Sequence, residues 1–149
     1  MKRCIFSISL GCLISSVCLA QDCDNLTGTW KSEAGTTLTI SSSDTKSGDL
    51  TGTFTSPEKF FSNNGPFSIK GSVGVATESE TKAESLSKGT AIAFNIKFPE
   101  GGISSWTGTC LNQQDGSSKM ALLWHQAHPT ASLPISHIKS GSTLFTPDN

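Results

Sequence analysis

Leu26-Thr-Gly-Thr-Trp-Lys-Ser-Glu-Ala-Gly-Thr-Thr-Leu-Thr-Ile40 alternates with a period of two. Successive side chains of a strand point to opposite sides, so Leu26, Gly28, Trp30 and Ser32 share one face while Thr27, Thr29, Lys31 and Glu33 share the other. Glu33-Ala-Gly35 is a turn signal, and Thr36, Leu38 and Ile40 resume the alternation. The stretch predicts a β-hairpin with one dry face. Beside its turn that face carries two hydroxyls, Ser32 and Thr36, and hydroxyls at the rim of an apolar lining suggest the mouth of a ligand cavity.

The same alternation recurs along the chain, and a helical period is almost absent. Eight strands are expected, at about 26–32, 36–42, 49–56, 66–73, 88–98, 104–112, 118–126 and 138–146. The stretches Ser43–Gly48, Asn63–Pro66, Pro99–Gly102 and Gln114–Gly116 supply residues suited to tight reversal, and Glu78–Lys88 reads as a solvated connection. Eight short antiparallel strands in one domain imply an all-β, up-and-down barrel whose interior holds side chains or one small ligand. Thr-Gly-Thr occurs at 27–29, 51–53 and 107–109, beside Trp30, Phe54 and Trp106. A glycine two residues from an inward aromatic is expected to leave room where a barrel narrows.

Residues 1–20 read as a secretory signal peptide. Lys2 and Arg3 give a basic start, Ile5–Leu19 is an apolar run too short and serine-rich to span a bilayer, and Cys18-Leu-Ala20 is a small-residue cleavage site. The domain is then residues 21–149, a secreted, extracellular protein with no membrane partner. Of five cysteines, Cys4, Cys12 and Cys18 leave with the signal, so Cys23 and Cys110 remain as a pair suited to one disulfide. Asn25-Leu-Thr27 is a glycosylation sequon.

Charge excludes some partners. Removing Lys2 and Arg3 from the 11 basic residues leaves scattered lysines against 12 acidic residues, with no arginine. Bidentate phosphate recognition is therefore missing, and nucleic acid is not an expected partner. No nucleophile elbow, metalloprotease helix or phosphate-binding glycine loop is present, so no enzyme is expected. His125-Gln-Ala-His128 invites a metal, but in a strand that spacing sends the two rings to opposite faces, and Pro129 marks a turn. No metal or other cofactor is expected.

Parity lists the inward residues near the expected mouth: Ser32, Thr36, Phe54, Ser56, Ile96, Phe98, Ser104, Trp106, Trp124, and Thr143 with Phe145. Aromatic walls with several hydroxyls suit a compact, largely uncharged ligand with a polar head.

At these residues the chain resembles the avidin family of secreted biotin-binding eight-stranded barrels. The matching pieces are Leu26–Trp30 with Gly35 and Thr39-Ile40, Gly48–Phe54, Asn95 with Lys97-Phe98, Trp106–Cys110, Asp115-Gly116, Leu123-Trp124 and Gly141–Thr146, in order over nearly the whole domain. The resemblance implies a Cys23–Cys110 disulfide, a homotetramer and biotin as the bound ligand. It also implies roles for single residues. Ser32, Thr36 and Phe54 stand where the family's asparagine, serine and tyrosine hold the ureido oxygen, and Phe54 lacks the hydroxyl. Ser56 and Thr143 face the ureido N–H groups, and Ser104 stands near the hydroxyl that meets the thioether sulfur. Phe98, Trp106 and Trp124 keep the aromatic box, while Ile96 replaces a tryptophan.

The resemblance weakens at the rim. Ala127–Ile138 has no lid tryptophan, with Ile135 the nearest aligned candidate. Pro99 and Gly101 stand where small hydroxyl residues would meet the ligand carboxylate, for which Lys59 is an alternative partner. Lost hydrogen bonds and aromatic contacts of this kind total on the order of 4 to 8 kcal/mol, or about three to six decades of affinity. The expected protein is an avidin-like binder with weakened biotin affinity; the alternative is an avidin-related defence or interaction protein that has lost biotin. A lipocalin is a further alternative, since Gly28-Thr-Trp30 also resembles that family's opening, but the chain ends in a strand rather than a helix.

Overall fold

The β1–β2 hairpin forms as its alternation requires. Trp30 pairs with Leu38 and Gly28 with Ile40, and both ends of the turn bond to each other, Ser32 N–H to Thr36 O at 2.9 Å and Gly35 N–H to Ser32 O at 2.9 Å. Gly35 sits at φ +86°, a left-handed conformation that favours glycine. In this computed structural model, which describes residues 21–57, 64–75, 89–129 and 137–148, eight strands follow one another. They are β1 Gly28–Ser32, β2 Thr37–Asp44, β3 Asp49–Thr55, β4 Phe67–Val75, β5 Gly89–Lys97, β6 Ile103–Asn112, β7 Ser118–Ala127 and β8 Ile138–Pro147. Each pairs antiparallel with the next, and β8 returns to β1, so the sheet closes into a barrel with no edge.

The observed strands lie within two residues of those expected. β1 starts at Gly28 rather than Leu26 because Gly28 has φ +132°, which interrupts extended backbone. The expected signal peptide, Lys59, Ile135 and the whole of Glu78–Lys88 lie outside the described residues.

Alternation fills the barrel. Trp30, Leu38, Phe94, Met120, Leu122 and Phe145 are fully buried, and the Trp30 indole N–H donates to Leu26 O at 2.9 Å. Trp30 is thus core. Cys23 and Cys110 form the disulfide, tying the segment before β1 to the far end of β6, where Thr90 Oγ1 also donates to Cys23 O at 2.6 Å. That end of the barrel is closed.

Two of the three Thr-Gly-Thr glycines, Gly52 and Gly108, serve a different purpose from the one expected. A Cβ on Gly52 would run into the Thr39 carbonyl, and one on Gly108 into the Ala121 carbonyl; Gly71, outside the repeat, meets Ala93 in the same way. The room they leave is occupied by the neighbouring strand's backbone, which approaches closely where the sheet coils, and not by an aromatic ring.

Candidate functional site

The ends of β3, β5 and β7, the starts of β6 and β8 and the β1–β2 turn converge on the open end of the barrel. They enclose a cavity of about 210 Å³, small against the ~300–1,000 Å³ usual for ligand pockets. Its aromatic wall is centred on Trp106. The Trp106 ring lies 5.2 Å from Phe54, 5.8 Å from Phe94 in a stacked arrangement, and 5.9 Å from Trp124, centroid to centroid. Trp106 and Trp124 are also direct partners in the β6–β7 ladder, which sets them side by side on the inner face. Ile96 and Phe98 complete the apolar lining, and Phe98 is braced edge-on by Phe67 at 4.9 Å.

Polar groups are set among these walls. Thr36, Ser56, Ser104 and Thr143 line the cavity. Ser104 Oγ donates to His125 O at 3.2 Å, so what the hydroxyl still offers is acceptor capacity. No ionisable side chain is among the described lining residues, so the cavity is a neutral box.

Of the expected site residues, Thr36, Phe54, Ser56, Phe98, Ser104, Trp106, Trp124 and Thr143 are brought together. Ser32 is not among the lining residues. It is buried under the turn, and its Oγ accepts the Thr36 backbone N–H at 3.0 Å. Pro99 and Gly101 form the β5–β6 turn, where Gly101 N–H donates to Phe98 O at 3.0 Å; neither lines the cavity. His125 is exposed on the outer face and His128 lies beyond the end of β7, and the described residues hold no cluster of three or more metal-ligating side chains.

Three lining residues were not anticipated: Ala34, Pro57 and Gln126. The first two come from loops, where parity gives no guidance. Gln126 was findable, since it follows Trp124 by two residues on β7 and must share its inward face. It stands opposite Ser104 in the ladder and is only 3% exposed.

Among the described residues, the two carboxyls with clearly perturbed acidity, Asp44 and Asp115, are remote from the cavity, in the β2–β3 and β6–β7 turns. Asp44 is held below the ordinary carboxylate range chiefly by the backbone N–H of Lys46, and Asp115 chiefly by the Ser117 hydroxyl.

A closed up-and-down barrel with an aromatic, hydroxyl-bearing cavity at one end defines a small-ligand-binding β-barrel protein. The model of the Avidin family matches residues 20–148, and the chain belongs to that family. Among solved structures it resembles the biotin binding protein from chicken, with 17% identity, a TM-score of 0.68, and coverage of 87% of this chain and 100% of that one. Xenavidin matches with 20% identity and a TM-score of 0.66 over 83% and 97% of the two chains. Apo shwanavidin matches with 28% identity and a TM-score of 0.58 over 81% and 98%. No curated protein matches the sequence. The family match excludes the lipocalin alternative.

Proposed function

We propose that this is a secreted avidin-type protein that binds biotin in the open end of its barrel, more weakly than a member with the full set of ureido donors. The observation that carries the reading is the gathering of Thr36, Ser56, Ser104, Trp106, Trp124 and Thr143 around one neutral cavity. A bicyclic urea needs an apolar box with hydrogen-bonding groups at one end, and these residues supply both. Weakness follows from Phe54, which has no hydroxyl, from Ile96, which offers an aliphatic wall, and from Ser32, which sits beneath the turn and is not among the residues lining the cavity.

The rest of the reading is consistent with that core. The protein acts by binding and not by catalysis, with neither metal nor nucleic acid as a partner. The Cys23–Cys110 disulfide supports an extracellular location, since such bonds persist in oxidising compartments. Asn25, two residues after Cys23, is the candidate glycosylation site. A homotetramer is supported by the apolar outer surface of β6–β8, where Ile103, Leu123, Ile138 and Leu144 are all exposed.

The experiment is a fluorescence titration of the signal-free protein with biotin, because Trp106 and Trp124 line the cavity. A saturable change in tryptophan emission, absent with a size-matched fatty acid, supports the reading. An unchanged spectrum through millimolar biotin contradicts it and favours the second reading, an avidin-related interaction protein without biotin, to which the altered Phe54 and Ile96 also point.

A further inference from the structure

Gln126 is the one amide among the described lining residues, set between Trp124 on its own strand and Ser104 across the ladder. It is 97% buried, lines the cavity, and its Nε2 has no hydrogen-bond acceptor among the described residues. In the same wall the Trp106 indole N–H is also buried without an acceptor. Native structures rarely leave such donors unserved, and each costs stability when it is. Both residues line the same cavity, so a ligand acceptor brought against this wall could serve a donor that the protein leaves unpaired.

We infer that Gln126 is a specificity-determining residue, donating from Nε2 to a neutral oxygen acceptor, a carbonyl or sulfoxide, carried by the ligand on the β6–β7 side of the cavity. The acceptor is neutral because no cation stands among the described lining residues, and a buried carboxylate there would lack compensation. Ser104, directly across the ladder, has its hydroxyl hydrogen committed to His125 O and so adds no competing donor. A ligand that fills the cavity without an acceptor at this wall strands the Gln126 amide, which is a strong basis for rejecting it. The inference rests on the cavity being the ligand site, as in the reading above, but does not require that ligand to be biotin.

The test uses a matched pair of probes, tetrahydrothiophene 1-oxide and tetrahydrothiophene, which differ by one acceptor oxygen. Both are titrated by NMR into ¹⁵N-labelled wild-type protein, Gln126→Leu and Gln126→Met. The expected result is a downfield shift of the Gln126 side-chain amide with the oxide alone, and a preference for the oxide over the thioether about ten-fold greater in wild type than in either variant. Both variants fold, with melting temperatures at or above wild type, because an unserved buried donor has been removed. A merely structural glutamine would instead leave the preference ratio unchanged. An equal ratio in all three proteins, or no oxide binding by wild type at tens of millimolar, overturns the inference. Biotin titrated into the same samples separates the two readings: absence of biotin binding with a retained oxide preference sinks the biotin assignment and leaves Gln126 in its role.

Discussion

The Thr36 backbone N–H donates to Ser32 Oγ at 3.0 Å, so two hydroxyl residues that flank one turn have divided their work. Ser32 holds the turn, and Thr36 lines the cavity that the turn borders. Alanine at 32 should therefore lower stability by about 1 kcal/mol, the usual worth of such a bond, while changing biotin affinity less than Thr36→Val does. Valine at 36 keeps the shape and removes a hydroxyl from the lining, and a loss of about ten-fold is expected. Denaturant melts paired with calorimetry check both. A larger affinity loss for Ser32→Ala than for Thr36→Val would reverse the assignment.

Phe54 lies against Trp106 and lines the cavity with a ring that carries no hydroxyl. Adding a hydroxyl there by Phe54→Tyr supplies one donor to the ligand's polar head. The account predicts a gain of about five- to thirty-fold in biotin affinity, equal to roughly 1 to 2 kcal/mol. Competition calorimetry reads it directly, and unchanged or weaker binding would remove Phe54 from the explanation of reduced affinity.

Acidification should separate stability from binding. Asp44 and Asp115 have folded pKa values below their unfolded ones, so each contributes stability that is present above the unfolded pKa and lost as pH falls through the lower folded one. Melting temperatures should decline below about pH 4. Between pH 5.5 and 9 biotin affinity should stay level, because the described cavity lining holds no titratable group. A bell-shaped affinity profile in that window would show an ionisable group at the site.

The outer face of β7 and β8 carries Leu123 at 58% and Leu144 at 52% exposure, two strand positions apart across the ladder. Lysine at both should convert the proposed homotetramer to smaller species by light scattering, while far-UV circular dichroism keeps its β signature. Wild-type protein that already runs as a monomer would contradict the oligomer.

The barrel was legible because closure demands strict alternation, and a one-residue slip would send Leu38, Ile96 or Trp106 to solvent. The inward parity of Phe54, Ser56, Ser104, Trp124 and Thr143 follows from that constraint. What parity cannot reveal is where a hydroxyl spends its hydrogen bond. Ser32 has inward parity, yet its Oγ accepts the Thr36 N–H under the turn and the residue does not line the cavity. The roles of Gly52 and Gly108 were hidden for a related reason: closeness of two strand backbones depends on local coiling, which no periodicity reports. Gln126 had the right parity throughout, and its significance appears only when the surrounding wall shows no acceptor for its amide.

The most direct test of the account is a calorimetric titration of the signal-free protein, residues 21–149, with biotin. A saturable exchange of heat, with one site per chain and a dissociation constant at or below about micromolar, is the predicted result. No heat together with no thermal stabilisation at millimolar biotin would contradict it.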